Sequence, residues 1–298
     1  MAVRERLRRF WRTISGGPVA YVAVVVLALV VGYALFYYVG PGRPYVGVIR
    51  LPYVEIGGGS TVQMLEMLRF AERDNRIKAV AIDITSPGGP TADSEDLYNN
   101  VLRLRESKPV VFSVGWIAAS GGYFMASAGD YIYARPSSMV GNVGAVLFAP
   151  GPLPADEDLI ATGPFKLTGG TRRQYVSLLE IVKDAFVRSV YAQRGDRLKL
   201  APDELADGRI YVGIEAVRLG LVDGLGSTND AIEQAARLAG IRNYGTIDIV
   251  EEVRKTSGVF YFTAPSPAPP QATGGAVKPT APESRYHRFY YLYVEPTK

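Results

Sequence analysis

The sequence predicts an α/β fold built on a largely parallel sheet. Short runs rich in valine and isoleucine alternate with stretches of helical period, which is typical of buried parallel strands joined by helices. Glycine-rich turns follow several of the apolar runs, where such strands would end. The predicted strands are 45–51, 77–84, 110–114, 131–134 and 246–253, and the predicted helices are 60–75, 91–105, 120–128, 172–194, 213–219 and 228–239.

The individual elements follow from local patterns. The aliphatic runs 77–84 and 110–114 are expected of strands buried on both faces. Small residues after Ser120 favour a short helix, and residues 172–194 have the pattern of a regular amphipathic helix. The helix 60–75 carries apolar residues at helical spacing that we interpret as core, namely Met64, Leu65, Met67 and Leu68.

The N-terminal part of the chain predicts a membrane anchor. No charged residue occurs from Thr13 to Gly42, and residues 19–39 are enough for a helix to cross about 30 Å of hydrocarbon. A cleaved signal peptide is the alternative, but its apolar region would have about 7–15 residues and end in small ones. This stretch ends in Phe36, Tyr37, Tyr38 and Val39, an aromatic belt that favours a retained anchor.

The charge distribution sets the orientation of that anchor and argues against a nucleic-acid partner. The net charge is +4, and residues 1–12 hold five arginines and one glutamate, so this arm alone contributes 5 − 1 = +4. The arginines predict that residues 1–18 are a cytoplasmic arm and that the chain beyond Arg43 lies outside the cell membrane. The remaining residues sum to zero, so the basic isoelectric point says nothing about nucleic acid.

The rest of the chain predicts one domain and a tail. Residues 45–253 show no internal repeat and form the predicted catalytic domain. Residues 264–283 are rich in proline, alanine and glycine, which predicts an extended or disordered linker. The aromatic tail 284–298 could then add as a strand to a sheet edge or a substrate groove. Contact with a membrane surface or another subunit is the alternative.

The sequence around Ser120, from Ala118 to Tyr123, is typical of a nucleophilic serine. It follows a predicted strand and precedes Gly121 and Gly122, so its hydroxyl would be exposed and the next N–H could hold an oxyanion. A plain helix N-cap is the alternative interpretation.

The inventory of side chains limits what could activate this serine. His287 is the only histidine and there is no cysteine, which excludes a Ser-His-Asp triad within the body of the chain. The base must be a lysine, a carboxylate or an amine, and this favours a Ser-Lys protease. The absence of cysteine, of a histidine cluster and of a Walker-type loop also predicts no metal and no cofactor.

Two further glycine-rich turns follow predicted strands. Gly88 and Gly89 come after Pro87, where the backbone could turn an N–H toward a bound group, although an ordinary turn would look the same. The turn around Asn142, between Gly141 and Gly144, by itself predicts only a turn.

Taken in order, these motifs resemble the signal peptide peptidase A family of membrane serine proteases. The matching features are Ser86-Pro87-Gly88-Gly89, Ala119-Ser120-Gly121-Gly122-Tyr123, the Gly141–Gly144 turn and the segment Gly208–Gly226. The resemblance covers residues 45 to about 253. It implies an α/β fold of the Clp-protease/crotonase type with repeated ββα units, preceded by one transmembrane helix.

The resemblance also implies roles for particular residues. Ser120 would be the nucleophile, Lys166 the general base, and the N–H groups of Gly88, Gly89 and Gly121 the oxyanion hole. Lys166 is assigned as the base because it lies in the segment that follows the glycine turn, where the family has its lysine. The alternatives are that Lys166 is an ordinary surface lysine, or that Lys183 is the base instead. Asn142 stands where the family has a serine that could orient the lysine, and its carbonyl oxygen could accept the same bond.

The implied function is a membrane-anchored serine endopeptidase for hydrophobic peptides near the membrane, such as remnant signal peptides. Single-copy members of the family form rings, so a homo-oligomer is expected, with Ser120 and Lys166 meeting across a subunit boundary as a hypothesis. The alternatives are a stomatin-type processing protease for one membrane partner, a non-catalytic ring scaffold, and an acyl-CoA enzyme on the same fold.

Overall fold

The structure is a computed structural model that describes residues 17–38, 43–148, 161–257 and 290–292. The chain divides into two units, residues 1–44 and 45–298. The helices are α1 (Pro18–Tyr38), α2 (Gly59–Arg73), α3 (Thr91–Arg105), α4 (Gly121–Ser127), α5 (Arg172–Arg194), α6 (Pro202–Leu205), α7 (Gly213–Arg218), α8 (Thr228–Leu238) and α9 (Ile249–Ser257). The strands are β1 (Tyr45–Leu51), β2 (Ile77–Ser86), β3 (Gly88–Pro90), β4 (Val110–Ala119), β5 (Tyr131–Ala134), β6 (Met139–Gly141), β7 (Ile210–Val212), β8 (Gly224–Leu225), β9 (Gly245–Asp248) and β10 (Tyr290–Leu292).

Helix α1 belongs to the first unit. It has 21 residues without a charged side chain, and large side chains such as Tyr21, Leu27 and Leu29 are more than half exposed. Among the helices that the described residues form, none is long and apolar enough to cross a membrane. Val39, the last residue of the predicted anchor, lies outside the described residues.

The second unit is organised around one sheet. Its main strand order is β7-β6-β4-β2-β1-β9, and β5 pairs with both β4 and β8. Every pair in this sheet is parallel except β6 with β7. The predicted α/β fold with a largely parallel sheet is therefore confirmed.

Strand β4 changes partners along its length, and this change shapes the edge where the strands end. On one side, β4 pairs with β2 from Val110 to Val114 and again at Ala118. On its other side, residues up to Val114 pair with β5, whereas the last residues, from Ile117 to Ala119, pair with β6. Gly115 lies at the transition, and a Cβ there would be 1.9 Å from the Thr85 Oγ1 atom. Only glycine allows the two strands to approach so closely at this point.

Apolar side chains cover both faces of the sheet. The larger core joins β1, β2 and β4 to helices α2, α3, α4, α5 and α9. A smaller core packs α8 against the other face, with Ala231 and Ala235 facing Val46 and Val111. Among the methionines and leucines predicted as core on α2, Met64, Met67 and Leu68 are buried and Leu65 is partly buried.

The predicted strand 246–253 is wrong in its second half. Strand β9 ends at Asp248, and residues from Ile249 onward form α9. Ile249 and Val253 lie one helical turn apart and are both buried, which is the spacing of a helix rather than of a strand. Strand β4 also extends to Ala119, five residues beyond the predicted end at Val114.

The C-terminal tail contributes strand β10, which pairs antiparallel with β3 in a separate two-stranded sheet. The predicted addition of the tail as a strand is confirmed for residues 290–292. The predicted linker 264–283 and the other tail residues lie outside the described residues.

A buried ion pair ties α5 to the segment before β8. The Arg194 guanidinium donates two hydrogen bonds to the Asp223 carboxylate, at 2.8 and 2.9 Å, and only 1% and 6% of the two side chains are exposed. Asp223 also accepts from Arg197 and from the backbone N–H of Ile132. A buried charge pair is costly to break because the remaining partner keeps its desolvation penalty.

We expect Asp223→Ala to lower the free energy of unfolding by about 3–5 kcal/mol, because it leaves the Arg194 charge buried without its partner. Urea denaturation measures this. Glu72→Ala, which removes a partly exposed pair with Arg103, should cost less than about 1 kcal/mol. Equal losses in the two variants would contradict the expectation.

Candidate active site

Three glycine-rich segments meet at the carboxyl ends of neighbouring strands. Ser86 at the end of β2 pairs with Ala118 of β4, and Ala119 pairs with Gly141 at the end of β6. The backbone N–H of Ser120 donates to the Gly141 carbonyl oxygen at 2.9 Å. Parallel pairing therefore brings together three segments whose paired residues are 32 (118 − 86) and 22 (141 − 119) positions apart in the chain.

Ser120 has the backbone geometry of a residue held for a function. Its φ of 52° and ψ of −123° place a non-glycine residue in the left-handed half of conformational space, which costs on the order of 1–3 kcal/mol. It stands at the N-cap position of α4, but its side chain makes no capping hydrogen bond. The hydroxyl is thus not used to cap the helix, as the alternative interpretation required. Only 1% of the residue is exposed, so the prediction of an exposed hydroxyl is wrong for the single chain: the strand ends and α4 pack around Ser120.

The glycines beside Ser120 leave room for backbone donors. A Cβ on Gly121 would lie 3.3 Å from the Gly89 backbone nitrogen, so these two segments are in direct contact. A Cβ on Gly89 would lie 1.9 Å from the Ile56 carbonyl oxygen, which excludes any larger residue. The Gly88 N–H donates to the Ser86 Oγ atom at 3.2 Å, so Gly89 is the better placed of the two for an oxyanion.

Helix α4 is fixed by two aromatic side chains, Tyr123 and Phe124, to which the sequence analysis gave no role. The Tyr123 hydroxyl donates to the Leu221 carbonyl oxygen at 2.9 Å, and burial raises the pKa of this phenol. The ring of Phe124 stacks on Tyr98 of α3 and packs against Phe186 of α5, with centroids 4.4 and 4.7 Å apart. The only sequence signal for this role was the aromatic pair directly after Gly122.

Asn142 has a structural role in the turn after β6. Its φ is 54°, a conformation that asparagine tolerates better than most residues. Its side-chain Nδ2 donates to the Gly208 carbonyl oxygen at 2.8 Å, and its backbone N–H donates to the Arg209 carbonyl oxygen at 2.7 Å. Asn142 thus joins the downstream Gly208 motif to the Ser120 region, while the lysine-orienting role stays a prediction.

Lys166 lies on a turn before α5 and is exposed. Its backbone N–H donates to the Gly163 carbonyl oxygen at 3.4 Å. Within the part of the chain that the structure describes, no hydrogen bond joins its ammonium to Ser120 or Asn142. The single chain therefore does not show the Ser-Lys contact that the sequence resemblance implies.

Two other lysines can be examined as bases. Lys183 donates to the Glu180 carboxylate, and this bond raises its pKa and favours the charged form. Burial lowers the pKa of Lys108, but its Nζ donates to three carbonyl oxygens, those of Ala71, Glu72 and Asp74, at 2.6–2.9 Å. All three ammonium hydrogens are used there, so Lys108 caps the end of α2 and is not free to accept a proton.

A serine next to the backbone of two glycines, Gly89 and Gly121, is an arrangement that acyl transfer could use, because it needs a nucleophile and nearby N–H donors. The described ranges contain no group of three or more acidic or histidine side chains that could hold a metal. The fold and a serine at this strand–helix turn are what is expected of a class of serine hydrolases.

Comparison with known proteins names the family. The model of peptidase family S49 matches residues 103–150 and 158–242. The chain is 33% identical over 200 residues to slr0021 of Synechocystis sp., which is named as a protease, and the match covers 62% of this chain and 72% of that protein. The chain belongs to peptidase family S49.

Two further matches cover a smaller share of the relative or have a lower sequence identity. Protease 4 of Haemophilus influenzae is 34% identical over 203 residues, which is 63% of this chain and only 32% of that larger protein. The chain thus spans about a third of the length of that relative. The solved structure of the membrane-bound stomatin-specific protease 1510-N, a lysine-to-alanine mutant in complex with a substrate peptide, matches with a TM-score of 0.47 and 19% identity over 69% of this chain and 92% of that one.

Gly122→Ala tests whether the packing of α4 positions Ser120. A Cβ at residue 122 would lie 2.7 Å from the Ser86 carbonyl oxygen, so α4 must shift away from the end of β2. Displacement of a reacting group by about 1 Å can cost roughly a hundredfold in rate, and we expect a loss of that size in peptide hydrolysis. Ser127→Ala, which removes one hydroxyl from the same helix, should leave the rate within about threefold; an unaffected Gly122→Ala enzyme would contradict the packing argument.

Proposed function

We propose that this chain is a membrane-anchored serine endopeptidase of the Clp-protease/crotonase fold type that uses Ser120 as nucleophile and Lys166 as general base. The observation that carries the proposal is the conformation of Ser120, whose uncapped hydroxyl stands in a left-handed turn beside Gly89 and Gly121. Strained backbone of this kind is kept where the surrounding structure enforces it for a function.

In the proposed mechanism, neutral Lys166 takes the Ser120 proton as the Oγ atom attacks the scissile carbonyl carbon. The N–H groups of Gly89 and Gly121 stabilise the oxyanion that forms. The C–N bond then breaks, and the leaving amine takes a proton from Lys166. Water that Lys166 activates hydrolyses the acyl-enzyme and restores Ser120.

To act as a base, the Lys166 amine must be shielded from water, because desolvation disfavours its charged form. We propose that a second subunit provides this shielding. The side chains on either side of it, Phe165 and Leu167, are 46% and 39% exposed. The first half of α5 also exposes Val176 and Ile181. Apolar surface of this kind, next to a required base, supports a homo-oligomer in which Lys166 of one subunit serves Ser120 of another.

Hydrophobic peptides, such as remnant signal peptides, are the proposed substrates. The rings of Tyr53 and Trp116 stack with centroids 6.2 Å apart, and the two residues are 43% and 50% exposed. Both belong to the edge of the sheet that carries the site, because Val54 donates to the Thr85 carbonyl oxygen and Trp116 lies near the end of β4. An exposed aromatic pair at this edge would bind apolar side chains of a peptide substrate better than charged ones.

We expect Ser120→Ala and Lys166→Ala each to lower the hydrolysis of a hydrophobic fluorogenic peptide by roughly a thousandfold or more, since a nucleophile and its base act as a unit. Lys183→Ala is the matched control and should keep the wild-type rate, because Lys183 is paired with Glu180. A Lys166→Ala enzyme with the wild-type rate would remove Lys166 from the mechanism.

The two inactive variants also test the subunit arrangement. After subunit exchange, a mixture of Ser120→Ala and Lys166→Ala chains contains sites with both wild-type residues only if the pair forms between subunits. Recovered hydrolysis supports that arrangement. No recovery, with exchange confirmed by mass spectrometry, would place both residues in one subunit.

Membrane attachment through residues 19–39 is also a proposal, with the N-terminal arm in the cytoplasm and the catalytic domain outside. Its support is the sequence from Thr13 to Gly42, which has no charge, together with the exposed apolar side chains of α1. An exposed, all-round apolar helix is unfavourable in water and favourable in hydrocarbon.

The attachment is tested by charge insertion. The double variant Val26→Arg/Leu29→Arg should release the chain from carbonate-washed membranes, because each arginine costs about 2.5–3.5 kcal/mol at the centre of a spanning helix. The control Val26→Ala/Leu29→Ala should stay in the membrane fraction. A wild-type chain that is extracted by carbonate alone would contradict the proposal.

A further inference from the structure

Strand β10, from the C-terminal tail, pairs with the strand that carries Gly89. The register places Tyr290 opposite Pro90, Tyr291 opposite Gly89 and Leu292 opposite Gly88, in antiparallel direction. The Cα atoms of β10 also come within 8 Å of those of α3 and of α4, the helix that begins after Ser120. The tail segment therefore lies on the site itself rather than on a remote sheet edge.

The hydrogen-bonding pattern of β3 identifies which residue faces the tail. In a strand, the N–H and C=O groups of successive residues point to opposite sides. The Gly88 carbonyl oxygen accepts from the Ile56 N–H at 2.8 Å, so Gly88 faces the Ile56 side, and Pro90 has no N–H to donate. Gly89 is then the residue that exchanges both hydrogen bonds with the opposite residue, Tyr291.

This pairing has a chemical consequence, because the Gly89 N–H is also the proposed oxyanion donor. A substrate acyl carbonyl must lie at that N–H and next to the Ser120 hydroxyl. In the observed register, the backbone carbonyl that lies at the Gly89 N–H belongs to Tyr291. The tail thus follows the path that a bound peptide would take, with Tyr291 at the position of the residue whose carbonyl is attacked.

We propose that residues 290–292 are a built-in peptide ligand of the active site, which competes with external substrates and presents the Tyr291–Leu292 bond to Ser120. The proposal rests on the proposed protease function of the same site. The segment is aromatic and aliphatic, flanked by Phe289 and Tyr293, in keeping with a groove for hydrophobic peptides.

The chain is long enough for this docking. The 32 residues between Ser257 and Tyr290 could span roughly 100 Å when extended. A domain of about 250 residues has a radius of gyration of about 18 Å. The tail can therefore reach the site of its own subunit or of a neighbour.

Cleavage of the tail would be an ordinary hydrolysis. The Ser120 Oγ atom forms an ester with the Tyr291 carbonyl carbon, the bond to the Leu292 nitrogen breaks, and that nitrogen leaves as an amine after it takes a proton. One water molecule then hydrolyses the ester, which leaves a carboxylate on Tyr291 and frees Ser120.

The first test compares two proline variants of the full chain. Tyr291→Pro removes an N–H that donates to Gly89, whereas Tyr290→Pro removes an N–H that points away from β3. Loss of one such hydrogen bond corresponds to about a fivefold weaker tail. We expect Tyr291→Pro to hydrolyse a subsaturating hydrophobic fluorogenic peptide up to about fivefold faster than Tyr290→Pro. Equal rates in the wild type and both variants would overturn competition by the tail.

The second test does not depend on turnover of an external peptide. In the Ser120→Ala background, amide hydrogen exchange at Gly89 should be about fivefold faster with Tyr291→Pro than with Tyr290→Pro. Equal exchange overturns the docking. If exchange differs but no variant cleaves any peptide, the proposed protease function fails and the docking stands.

Intact-mass spectra complete the experiment. Incubated wild-type chain should lose residues 292–298, and Ser120→Ala should keep them. If peptides are hydrolysed but the tail stays whole or is cut elsewhere, the assignment of the Tyr291–Leu292 bond is wrong while the protease function is intact.

Discussion

The partner change of strand β4 is the constraint on which the rest of the site depends. Strand β4 keeps β2 as its neighbour on one side, whereas on the other side it pairs first with β5 and then with β6. The ends of β2, β4 and β6 therefore meet at one edge of the sheet. Parallel strands place their carboxyl ends together, and the loops there are free to carry chemistry. A glycine at residue 115 allows β4 to approach Thr85 of β2 closely at this point.

Contacts at this edge of the sheet hold Ser120 in its strained, left-handed backbone conformation. Its N–H is held by Gly141, and the following helix is fixed by the Tyr123 hydroxyl and by the stacked ring of Phe124. The favourable packing of α4 offsets the unfavourable backbone conformation. The two glycines that follow Ser120 lie close to neighbouring backbone, Gly121 to the Gly89 nitrogen and Gly122 to the Ser86 carbonyl oxygen. The position of the hydroxyl is therefore set by main-chain contacts rather than by flexible side chains.

The lysines show why a pKa and a position must be considered together. Lys108 has the lowered pKa expected of a base but is fully engaged with carbonyl oxygens. Lys166 has the position implied by the family but is exposed in the single chain. The Lys166 amine and the apolar side chains beside it are all exposed in the single chain. In the proposed oligomer, a second subunit would cover them, and the loss of water around the amine would favour its neutral form.

The sequence by itself determined the α/β fold and the glycine motifs, because strand and turn patterns are local. It also made Ser120 the candidate nucleophile, because residues 45–253 contain no histidine and no cysteine. The prediction of a strand over residues 249–253 was wrong, because a short apolar run fits the period of a strand and that of a helix equally well. The burial of Ile249 and Val253, one helical turn apart, distinguishes the two. Only the tertiary structure decided that the Gly88 N–H is bonded to the Ser86 hydroxyl, that Asn142 holds Gly208, and that β10 pairs with β3. Those outcomes depend on contacts between residues far apart in the chain, which no local pattern encodes.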